Sequence, residues 1–449
     1  MTSPRWLGMP AGLAVGLVVS ALTGVPLVQG AEATDAVAST CQGQPATIVG
    51  APDQMNLAGT PDADVIVTGG ARVVSADAGN DLVCVTARTR FVDAGPDDDM
   101  VVTASAGATV TVDLGDGADI FSGGARPDNV RPGQGADQVA TGDGDDGYAV
   151  DFPTESTDDV LDLGPGNDFA VAGPDMGTTL EGGTGRNTLA PTLGFDPEEA
   201  HRWVFDNTAE VATSDAGATF AWRNFDAFSF GGFNFAGQRV TFRGSDEAER
   251  VSASRDLSLG ASGPDLRSVE MGGGADGVHL FGVLGPVAGG AGRDRLVLAG
   301  FGDGRSGFPA SRIWVHLGLG KMRIEGRGAR VPDFEDLEVG GFGAVLLQGS
   351  ARANTLVVGQ ACWTMMEGRG GSDRLIARPR GNCGPSWAEL FGVPHRVEAF
   401  GNGGDDQLKG RKTDDRLIGG PGRDSADGRF GSDYCEAETR DDCELGGNE

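Results

Sequence analysis

Four nine-residue segments near the C-terminus repeat one arrangement of glycines, an aspartate and an apolar residue: GNGGDDQLK (401–409), GRKTDDRLI (410–418), GGPGRDSAD (419–427) and GRFGSDYCE (428–436). The sixth position of each segment is an aspartate, namely Asp406, Asp415, Asp424 and Asp433. Carboxylate oxygens beside the carbonyls of a glycine-rich turn form an all-oxygen site, which suits Ca²⁺ better than Zn²⁺ or Cu²⁺. The spacing therefore predicts calcium binding at these turns.

The same frame predicts the elements that position the aspartates. Glycines allow a tight turn, and the three residues centred on Leu408, Leu417, Ala426 or Cys435 form a minimal strand. Parallel strands stack about 4.8 Å apart, where two aspartates repel by roughly 3 kcal/mol at an effective dielectric constant of about 20. Burial of one apolar side chain returns only about 1.5–3 kcal/mol. A cation between the turns reverses the sign of the aspartate interaction, whereas a flexible Gly/Asp linker has no reason to keep this frame.

These segments resemble the repeats of the hemolysin-type calcium-binding (RTX) proteins. The resemblance implies a parallel β-roll in which two nonapeptides make one coil and each ion bridges the turns of successive coils. Asp406 would then share a side with Asp424, and Asp415 with Asp433. It also implies that turn glycines supply carbonyl ligands: Gly401, Gly410, Gly419, Gly420, Gly422, Gly428 and Gly431. Lys412, Thr413 and Arg429 stand where the family has turn glycines, which puts the second and fourth sites in doubt.

The frame recurs through the rest of the chain. Its sixth-position acids in the N-terminal part are Asp64, Asp81, Asp99, Asp119, Asp128, Asp137, Asp146 and Asp168. Residues 114–149 form four contiguous repeats and a second candidate calcium roll. Further candidate metal ligands are Asp276, Asp294 and Asp373. Where Val74 or Asn187 takes the aspartate position, we expect the rung to stack without an ion.

A longer internal duplication interrupts the nonapeptides. GGTGRNTLA (182–190) matches GGAGRDRLV (289–297), FDAFSFGGF (225–233) matches FEDLEVGGF (334–342), and GSDEAERVS (244–252) matches GSARANTLV (349–357), at a spacing of about 107 residues. We interpret the unit as longer β-helix coils with loops extruded around 191–221 and 299–311. Short β-branched strands and no helical periodicity predict an all-β, right-handed parallel β-roll or β-helix solenoid.

The predicted organisation has six parts. A signal peptide spans 1–33, followed by an N-terminal solenoid with RTX-like nonapeptides at 34–175. Two long β-helix units cover 176–285 and 286–400, the tandem roll covers 401–436, and an acidic cap covers 437–449. Arg5, the apolar run 11–28 and a small-residue cleavage site after Gly30 or Ala33 indicate secretion, with an uncleaved membrane anchor as the alternative. No second apolar stretch follows, so we expect no membrane span in the mature chain.

Composition points to cations as partners. The chain has 449 residues, 76 glycines and a net charge of −30, which disfavours nucleic acid and anionic membranes. Six cysteines in an exported chain indicate disulfides, and sequence proximity suggests Cys41–Cys84, Cys362–Cys383 and Cys435–Cys443 among 15 possible pairings. A zinc site is the alternative, without a supporting Cys/His cluster.

A catalytic site is not indicated. The sequence has no HExxH or GxSxG motif, and His201, His279, His316 and His395 are scattered. Asp97, Asp98 and Asp99, or Asp294 with Arg293 and Arg295, leave open a β-helical carbohydrate-active enzyme, a lyase or epimerase. Aromatics such as Trp222, Phe230, Phe233 and Phe235 leave open a glycan-binding adhesin, although they could equally cap the interior. The favoured hypothesis is a secreted, non-enzymatic calcium-binding repeat protein, structural or adhesive, with an unidentified extracellular glycan or protein partner.

Overall fold

The protein is described here by a computed structural model. It describes residues 39–86, 88–103, 107–150, 158–174, 179–193, 201–231, 238–254, 265–282, 285–299, 312–378 and 396–444. The signal-like segment, Phe233, Phe235, His395 and Cys383 lie outside these residues.

Each nonapeptide folds as a glycine turn followed by a strand of three to five residues. In Gln407–Lys409 only the central Leu408 is buried, and its neighbours face outward. Successive side chains of a strand point to opposite faces, so the aspartate two positions before Leu408 points inward as well. Two such turns and strands complete one coil of about 18 residues.

The coils stack into long parallel sheets. One face is a series of eighteen strands, each pairing in parallel with the next. They are β4 (Asn56–Ala58), β6 (Val73–Ser75), β8 (Phe91–Asp93), β10 (Val110–Asp113), β12 (Asp128–Arg131), β14 (Gly147–Ala149), β17 (Phe169–Ala172), β20 (Thr188–Pro191), β24 (Ala227–Phe230), β26 (Arg250–Ser254), β29 (Gly277–Phe281), β32 (Arg295–Ala299), β36 (Asp336–Val339), β38 (Thr355–Val358), β40 (Arg374–Ala377), β42 (Gln407–Lys409), β44 (Ser425–Asp427) and β46 (Thr439–Asp441).

The opposite face is divided between two sheets. The fourteen-stranded sheet holds β3 (Ile48–Val49), β5 (Val65–Val67), β7 (Leu82–Cys84), β9 (Met100–Val102), β11 (Ile120–Gly124), β13 (Gln138–Gly142), β15 (Val160–Asp162), β18 (Thr179–Glu181), β21 (Arg202–Asp206), β22 (Val211–Ser214), β23 (Thr219–Arg223), β25 (Arg239–Arg243), β27 (Asp265–Glu270) and β30 (Val287–Ala288). The eight-stranded sheet holds β33 (Arg312–His316), β34 (Lys321–Ile324), β35 (Arg327–Arg330), β37 (Phe342–Gln348), β39 (Ala361–Gly370), β41 (Val397–Gly403), β43 (Arg416–Ile418) and β45 (Tyr434–Glu436).

Three small pairs complete the strands. They are β1 (Thr40–Cys41) with β2 (Gln44–Pro45), β16 (Pro165–Gly166) with β19 (Thr184–Gly185), and β28 (Gly273–Gly274) with β31 (Ala291–Gly292). Leu317–Leu319 is a 3-10 turn. Among the described residues, no helix has the length and hydropathy that crossing a bilayer requires. The predicted all-β parallel β-roll solenoid is confirmed.

The expectation of extruded loops at 191–221 is wrong for its described part. Strands β21, β22 and β23 form an antiparallel meander that stays inside the fourteen-stranded sheet. The expected loop at 299–311 lies, apart from Ala299, outside the described residues. Strands β33, β34 and β35 form a corresponding meander in the second long unit. The meanders continue the sheet because alternating apolar residues such as Trp203 and Phe205 still face the interior. The parallel expectation for the whole chain therefore fails at these two places and at the short antiparallel pair of β1 and β2.

One continuous cluster of buried apolar side chains, contributed by both faces, fills the space between the sheets. Near the first meander it widens into an aromatic cluster, where the rings of Phe205 and Trp222 stack at 5.8 Å and those of Phe228 and Phe242 lie 4.9 Å apart. Trp222 is 1 % exposed and Phe230 is 0 % exposed. These two aromatics belong to the interior and offer no surface to a sugar.

Candidate functional site: ladders of buried carboxylates

The sixth-position aspartates are all buried at the corners of the coils. Every such residue that the sequence singled out is 0–7 % exposed: Asp64, Asp81, Asp99, Asp119, Asp128, Asp137, Asp146, Asp168, Asp276, Asp294, Asp373, Asp406, Asp415, Asp424 and Asp433. Each is followed by a strand, which begins at the next residue for most of them, so the carboxylate sits between the glycine turn and the apolar interior. Burial of this many acids requires a specific partner for each one.

Backbone hydrogen bonds connect these acids into ladders, in which the N–H of one acid donates to a carboxylate oxygen of the acid one coil later. The ladder beside the fourteen-stranded sheet, the N-terminal ladder, runs through Asp64, Asp81, Asp99, Asp119, Asp137 and Asp159, with N···O distances of 2.7–3.1 Å. The C-terminal ladder, beside the eight-stranded sheet, runs from Asp415 through Asp433 (2.7 Å) to Glu444 (2.8 Å).

The long ladder follows the eighteen-stranded sheet in three sections. Its members are Asp128, Asp146, Asp168 and Asn187; then Glu249, Asp276, Asp294 and Glu335; then Asn354, Asp373, Asp406, Asp424 and Glu438. Asp406 thus lies next to Asp424, and Asp415 next to Asp433, as the two-nonapeptide coil implies. The two sets of the tandem roll stand beside different sheets.

The second oxygen of most ladder carboxylates has no hydrogen-bond partner. Among the described residues, this applies to a buried oxygen of Asp81, Asp99, Asp119, Asp128, Asp137, Asp146, Asp168, Glu249, Asp276, Asp294, Asp373, Asp406, Asp424 and Asp433. An unsatisfied buried carboxylate oxygen costs about 1–3 kcal/mol or more. So regular an arrangement of unsatisfied oxygens indicates a missing positive group and does not look like an isolated packing defect.

The first glycine of each turn leaves the space in which such a group fits. A Cβ added at Gly401 would collide with Asp406 Oδ2 and lie 2.7 Å from the carbonyl oxygen of Gly419. At Gly410 it would lie 2.6 Å from Asp415 Oδ2 and 3.0 Å from the carbonyl oxygen of Gly428. The glycine therefore holds open a cradle where a carboxylate and a carbonyl of the next coil face one space. Oxygen ligands of this kind fit Ca²⁺.

Asn187 shows what these cradles require. Its Oδ1 accepts the N–H of Asp168, as an aspartate would, while its Nδ2 donates to the carbonyls of Gly182 (2.7 Å) and Asn224 (3.0 Å). The backbone carbonyls thus point at the place where an aspartate would put its second oxygen. An amide supplies donors there, whereas a carboxylate needs a proton or a cation.

Two predicted ligands differ because protein groups satisfy both of their oxygens. Asp64 accepts hydrogen bonds from Thr47 Oγ1 (2.7 Å), Thr60 N–H (2.8 Å) and Thr60 Oγ1 (2.9 Å). Burial opposes ionisation of Asp64, but the hydrogen bonds from Thr47 and Thr60 outweigh it and lower its pKa. The carboxylate of Asp64 is therefore stable as a charge without a metal ion.

Asp415, the second exception, accepts the Val397 N–H (2.8 Å), the Arg411 N–H (2.5 Å) and the Thr413 Oγ1 hydrogen (2.7 Å). Arg411 is 3 % exposed, and its guanidinium donates to the carbonyl of Ala361 and to Thr364 Oγ1. Arg411, rather than the expected Lys412, stands at the second glycine position of this repeat, and Thr413 stands at the fourth. Both departures have a structural role: Arg411 places a buried cation, and Thr413 a hydroxyl donor, at the start of the C-terminal ladder.

Burial still raises the pKa of Asp415, against the hydrogen bonds from Arg411, Thr413 and Val397. Ladder acids that lack such donors are also hard to ionise. Burial is the largest cause and raises the pKa of Asp99 to about 8, with the charges of Asp119 and Asp81 adding to it against a hydrogen bond from Asp81. Burial likewise raises the pKa of Asp137 and Asp373 to about 7 and that of Asp406 to about 6. A cation in the cradle would remove this penalty by stabilising the charged carboxylates.

The sequence analysis did not find the ladder members that lie outside a clear nonapeptide or that are not aspartate. Glu249 and Asn354 stand at the sixth position when Gly244 and Gly349 are counted as the first. Counting from the glycine without requiring aspartate would therefore have found them. Tyr148, whose hydroxyl donates 2.7 Å to Asp159 Oδ2, gave no such signal. Asp427, Asp441 and Asp442 also bring carboxylate oxygens within 4.8 Å of one another at the surface. Asp427 there pairs with Lys409.

The residues that the sequence left open for a catalytic role do not come together as one complete site. Asp99 and Asp294 are buried ladder members, whereas Arg293 and Arg295 face outward and pair with Asp336 and Glu338. His201 contacts Asp215, and His316 contacts Arg369. Among the described candidates, only Arg293, Arg295 and His279 line one cleft, and Asp294 is not among its lining residues.

Two of the suggested disulfides are present. Cys41 and Cys84 are bonded with a Cα–Cα distance of 5.5 Å, and Cys435 and Cys443 with one of 5.9 Å. Cys362 is also disulfide-bonded, and its suggested partner Cys383 lies outside the described residues. The first bond ties β1 to β7, and the last closes the end of the C-terminal roll.

Comparison with known proteins identifies the repeats. A family model for the RTX calcium-binding nonapeptide repeat matches residues 113–148 and 400–435, in four copies. No curated protein matches the chain significantly. The matched residues include Asp119, Asp128, Asp137 and Asp146 in the first segment and Asp406, Asp415, Asp424 and Asp433 in the second. The suspected RTX family is confirmed for these repeats, and Ca²⁺ is the ion they bind.

Proposed function

We propose that this chain, which carries RTX calcium-binding nonapeptide repeats, is an exported solenoid whose folding is completed by extracellular Ca²⁺ and which has a structural or adhesive role outside the cell. The observation that carries the proposal is the row of buried carboxylate oxygens without a hydrogen-bond partner. A polypeptide that buries so many of them is poorly stable alone and gains stability from whatever binds the folded form.

We further propose which residues hold the ions. The candidates are the ladder aspartates with an unpartnered oxygen, together with carbonyls of the turns that begin at Gly401, Gly410, Gly419 and Gly428. Gly422 and Gly431, both at positive φ in the same turns, are further candidates to supply carbonyl ligands. Asp64 and Asp415 contribute less, because the protein already satisfies them.

Export is supported by two independent features. The N-terminal residues have the charge, apolar run and small residues of a secretory signal. Disulfides such as Cys41–Cys84 persist in oxidising compartments and are rare in the cytosol. Calcium outside cells is in the range where weak sites, with dissociation constants of about 10⁻⁴–10⁻³ M, become occupied.

The test is circular dichroism and thermal melting of the mature chain in Ca²⁺, in Mg²⁺ and in EGTA. We expect Ca²⁺ to increase the β signal and the melting temperature strongly, because it offsets the carboxylate repulsion. Mg²⁺ should do little, since it demands a tight octahedral geometry and gives up water reluctantly. Equal β content and equal melting in EGTA and in Ca²⁺ would contradict the proposal.

Asp424→Asn and Asp424→Ala form a matched pair for the same test. Both remove a carboxylate, but asparagine keeps an Oδ1 that can accept the Asp406 N–H, which now donates to Asp424 Oδ1 at 2.8 Å. We expect both variants to bind fewer calcium ions by calorimetry. In EGTA the asparagine variant should be the more stable of the two, because it reproduces the arrangement seen at Asn187.

A further inference from the structure

The charge of the chain is divided very unevenly. Residues 239–378 contain 17 Lys and Arg against 16 Asp and Glu, whereas the rest of the chain contains 18 against 49. Five of the acids in this middle segment are 8 % exposed or less: Glu249, Asp276, Asp294, Glu335 and Asp373. The acids are thus partly withdrawn from the surface while the arginines stay on it. The surface of this segment is therefore basic in an otherwise acidic protein.

A cleft lies in this basic surface, on the outer face of the eighteen-stranded sheet. Its volume is ≈ 510 Å³, and strands β20, β24, β26, β29 and β32 contribute to it. Ala227, Arg250, Gly277 and Arg295 occupy one register row across neighbouring strands. Because Gly277 has no side chain, an open space separates the arginines on either side of it. Arg250 and Arg295 are two strands apart, or about 10 Å.

The guanidinium groups on the two sides of Gly277 differ in their partners. Arg293 reaches Asp336 with both Nε (3.2 Å) and Nη2 (2.7 Å), and Arg295 pairs with Glu338. These carboxylates hold the two groups in place while more than half of each side chain stays exposed. Arg250 has no hydrogen-bonded carboxylate in the described part of the chain. The carboxylate of Asp226 is near enough to interact with Arg250 electrostatically. Because the Arg250 side chain is exposed and forms no ion pair with Asp226, its guanidinium can still bind an anion opposite the preorganised pair.

Polar groups suited to hydroxyls line the middle of the cleft. Ser252 and His279 are neighbours in the next outward-facing row, with Ser252 on the strand of Arg250 and His279 on the strand between Arg250 and Arg295. Burial lowers the pKa of His279, the charge of Glu338 opposes this, and that of Arg295 adds to it. A neutral imidazole ring can both donate and accept a hydrogen bond. Phe281, two residues beyond His279, is 46 % exposed on the same strand. The cleft and the strands that line it thus combine arginine cations, neutral hydrogen-bonding groups and one exposed aromatic ring.

We propose that this cleft binds an acidic polysaccharide, a chain of sugars that carries carboxylate or sulfate groups. Arginine forms paired hydrogen bonds with such planar or tetrahedral anions, and two arginines about 10 Å apart fit an oligomer better than one small anion. Double-stranded DNA carries one charge per about 1.7 Å of axis, a density that the surrounding acidic surface opposes. A glycan with one charge per sugar or fewer suffers less from this repulsion.

The proposal goes beyond calcium binding, and calorimetry of the calcium-loaded chain tests it. The titrants are oligogalacturonate, heparin-derived oligosaccharide, neutral malto-oligosaccharide and a short DNA duplex, each at matched Ca²⁺ and salt. We expect binding of a carboxylated or sulfated glycan that weakens as NaCl rises. Arg250→Ala should lower its affinity at least fivefold, and Gly277→Leu should lower it at least tenfold. A Cβ at Gly277 meets only Arg250 Cγ, at 3.6 Å, and its φ is not positive, so larger side chains fit the backbone there.

Arg267→Ala is the matched control, because Arg267 is exposed on β27 of the opposite sheet and pairs with Asp265. It removes the same charge from the same region and should leave glycan affinity within twofold. Thermal melting verifies that each variant folds. The proposal is overturned if no acidic glycan binds, if the neutral glycan binds equally, or if DNA binds more tightly. It is also overturned if Arg250→Ala has no larger effect than Arg267→Ala, which would place the binding on the calcium-loaded acidic turns.

Discussion

The tandem roll at 400–435 and the coils at 335–370 stack acids in the same way but are stabilised differently. Roll strands such as β42 and β43 have three residues and bury one apolar side chain each. Strands β37 and β39 have seven and ten residues and bury several. Each such side chain contributes about 1.5–3 kcal/mol. The roll therefore has little apolar burial per coil to offset the acids.

The ladder residues of the two regions also differ in whether protein groups satisfy their polar atoms. In the roll, Asp406, Asp424 and Asp433 each keep a buried oxygen without a partner. At 335–370, Glu335 pairs with Arg352 at 3.0 Å, and Asn354 accepts the Ser350 N–H at 2.6 Å. The comparison teaches that the nonapeptide frame alone does not decide whether a coil needs calcium. The residue at position six and its local donors decide it.

The largest expected effect is that of pH on the calcium-free protein. The folded-state pKa values of ladder acids such as Asp99 and Asp137 are raised, to about 8 and about 7, above the unfolded value of 3.8. The folded form then binds more protons, so stability is greatest below about pH 4 to 5 and falls as pH rises through 6–8. Melting in EGTA across pH 5–8 checks this, with a calcium-loaded series as the control. A calcium-free melting temperature that rises over this range would contradict the account.

The next effect compares two glycines. Gly401→Ala puts a Cβ into the cradle against Asp406 Oδ2, whereas Gly277→Ala meets only Arg250 Cγ. We expect Gly401→Ala to destabilise by about 3 kcal/mol or more and to remove calcium binding at that turn, since the site cannot relax without moving backbone. Gly277→Ala should stay within about 0.5 kcal/mol of the parent protein. Urea unfolding in saturating Ca²⁺ measures both. A similar loss of unfolding free energy in the two variants would show that the space at Gly401 does not matter for the calcium site.

Asn187→Asp converts a coil that needs no ion into one that does. It replaces the Nδ2 donor to Gly182 and Asn224 by a carboxylate oxygen facing their carbonyls. We expect a loss of about 1–3 kcal/mol in EGTA, typical of an unsatisfied buried group, and partial recovery in Ca²⁺. Asn187→Ala is the control, because it removes the donor without adding charge and should not recover. Recovery of both variants would contradict the role assigned to this amide.

The smallest effect concerns Asp64. Thr60→Val removes the hydroxyl that donates 2.9 Å to Asp64 Oδ2 but keeps the backbone N–H at 2.8 Å. We expect a loss of about 1 kcal/mol that is nearly the same with and without Ca²⁺, because protein donors stabilise this carboxylate. Urea unfolding under the two conditions measures it. A loss that appears only in EGTA would place an ion at Asp64.

Much of this arrangement is readable from the sequence, for reasons visible at particular residues. Asp406 and Leu408 share an inward face because strand side chains alternate, so the frame predicts buried acids and short strands together. The suggested Cys41–Cys84 bond also follows from proximity in a coiled chain. The two antiparallel meanders were not predicted, because alternation such as that of Trp203 and Phe205 is the same for parallel and antiparallel strands.

The sequence could not separate Asp64 from the other acids, and it set Asp415 apart only through the missing turn glycines of its repeat. Their distinction depends on donors brought in from a neighbouring coil or from a turn, Thr47 in one case and Arg411 in the other. The basic cleft could not be predicted from the sequence either. Arg250 and Arg295 are distant in sequence, and only the strand register brings them into one row. Contacts of this kind depend on tertiary stacking and leave no local pattern.

Hydrogen exchange with and without Ca²⁺ tests the central claim most directly, that unsatisfied ladder carboxylates make particular coils dependent on calcium. Transfer of the disulfide-intact chain from Ca²⁺ to EGTA should remove protection from amides at 113–148 and 400–435. Amides of β37 and β39 should keep most of theirs, because apolar burial and protein donors hold those coils. Equal loss of protection along the whole chain, or no loss at either roll, would contradict the account.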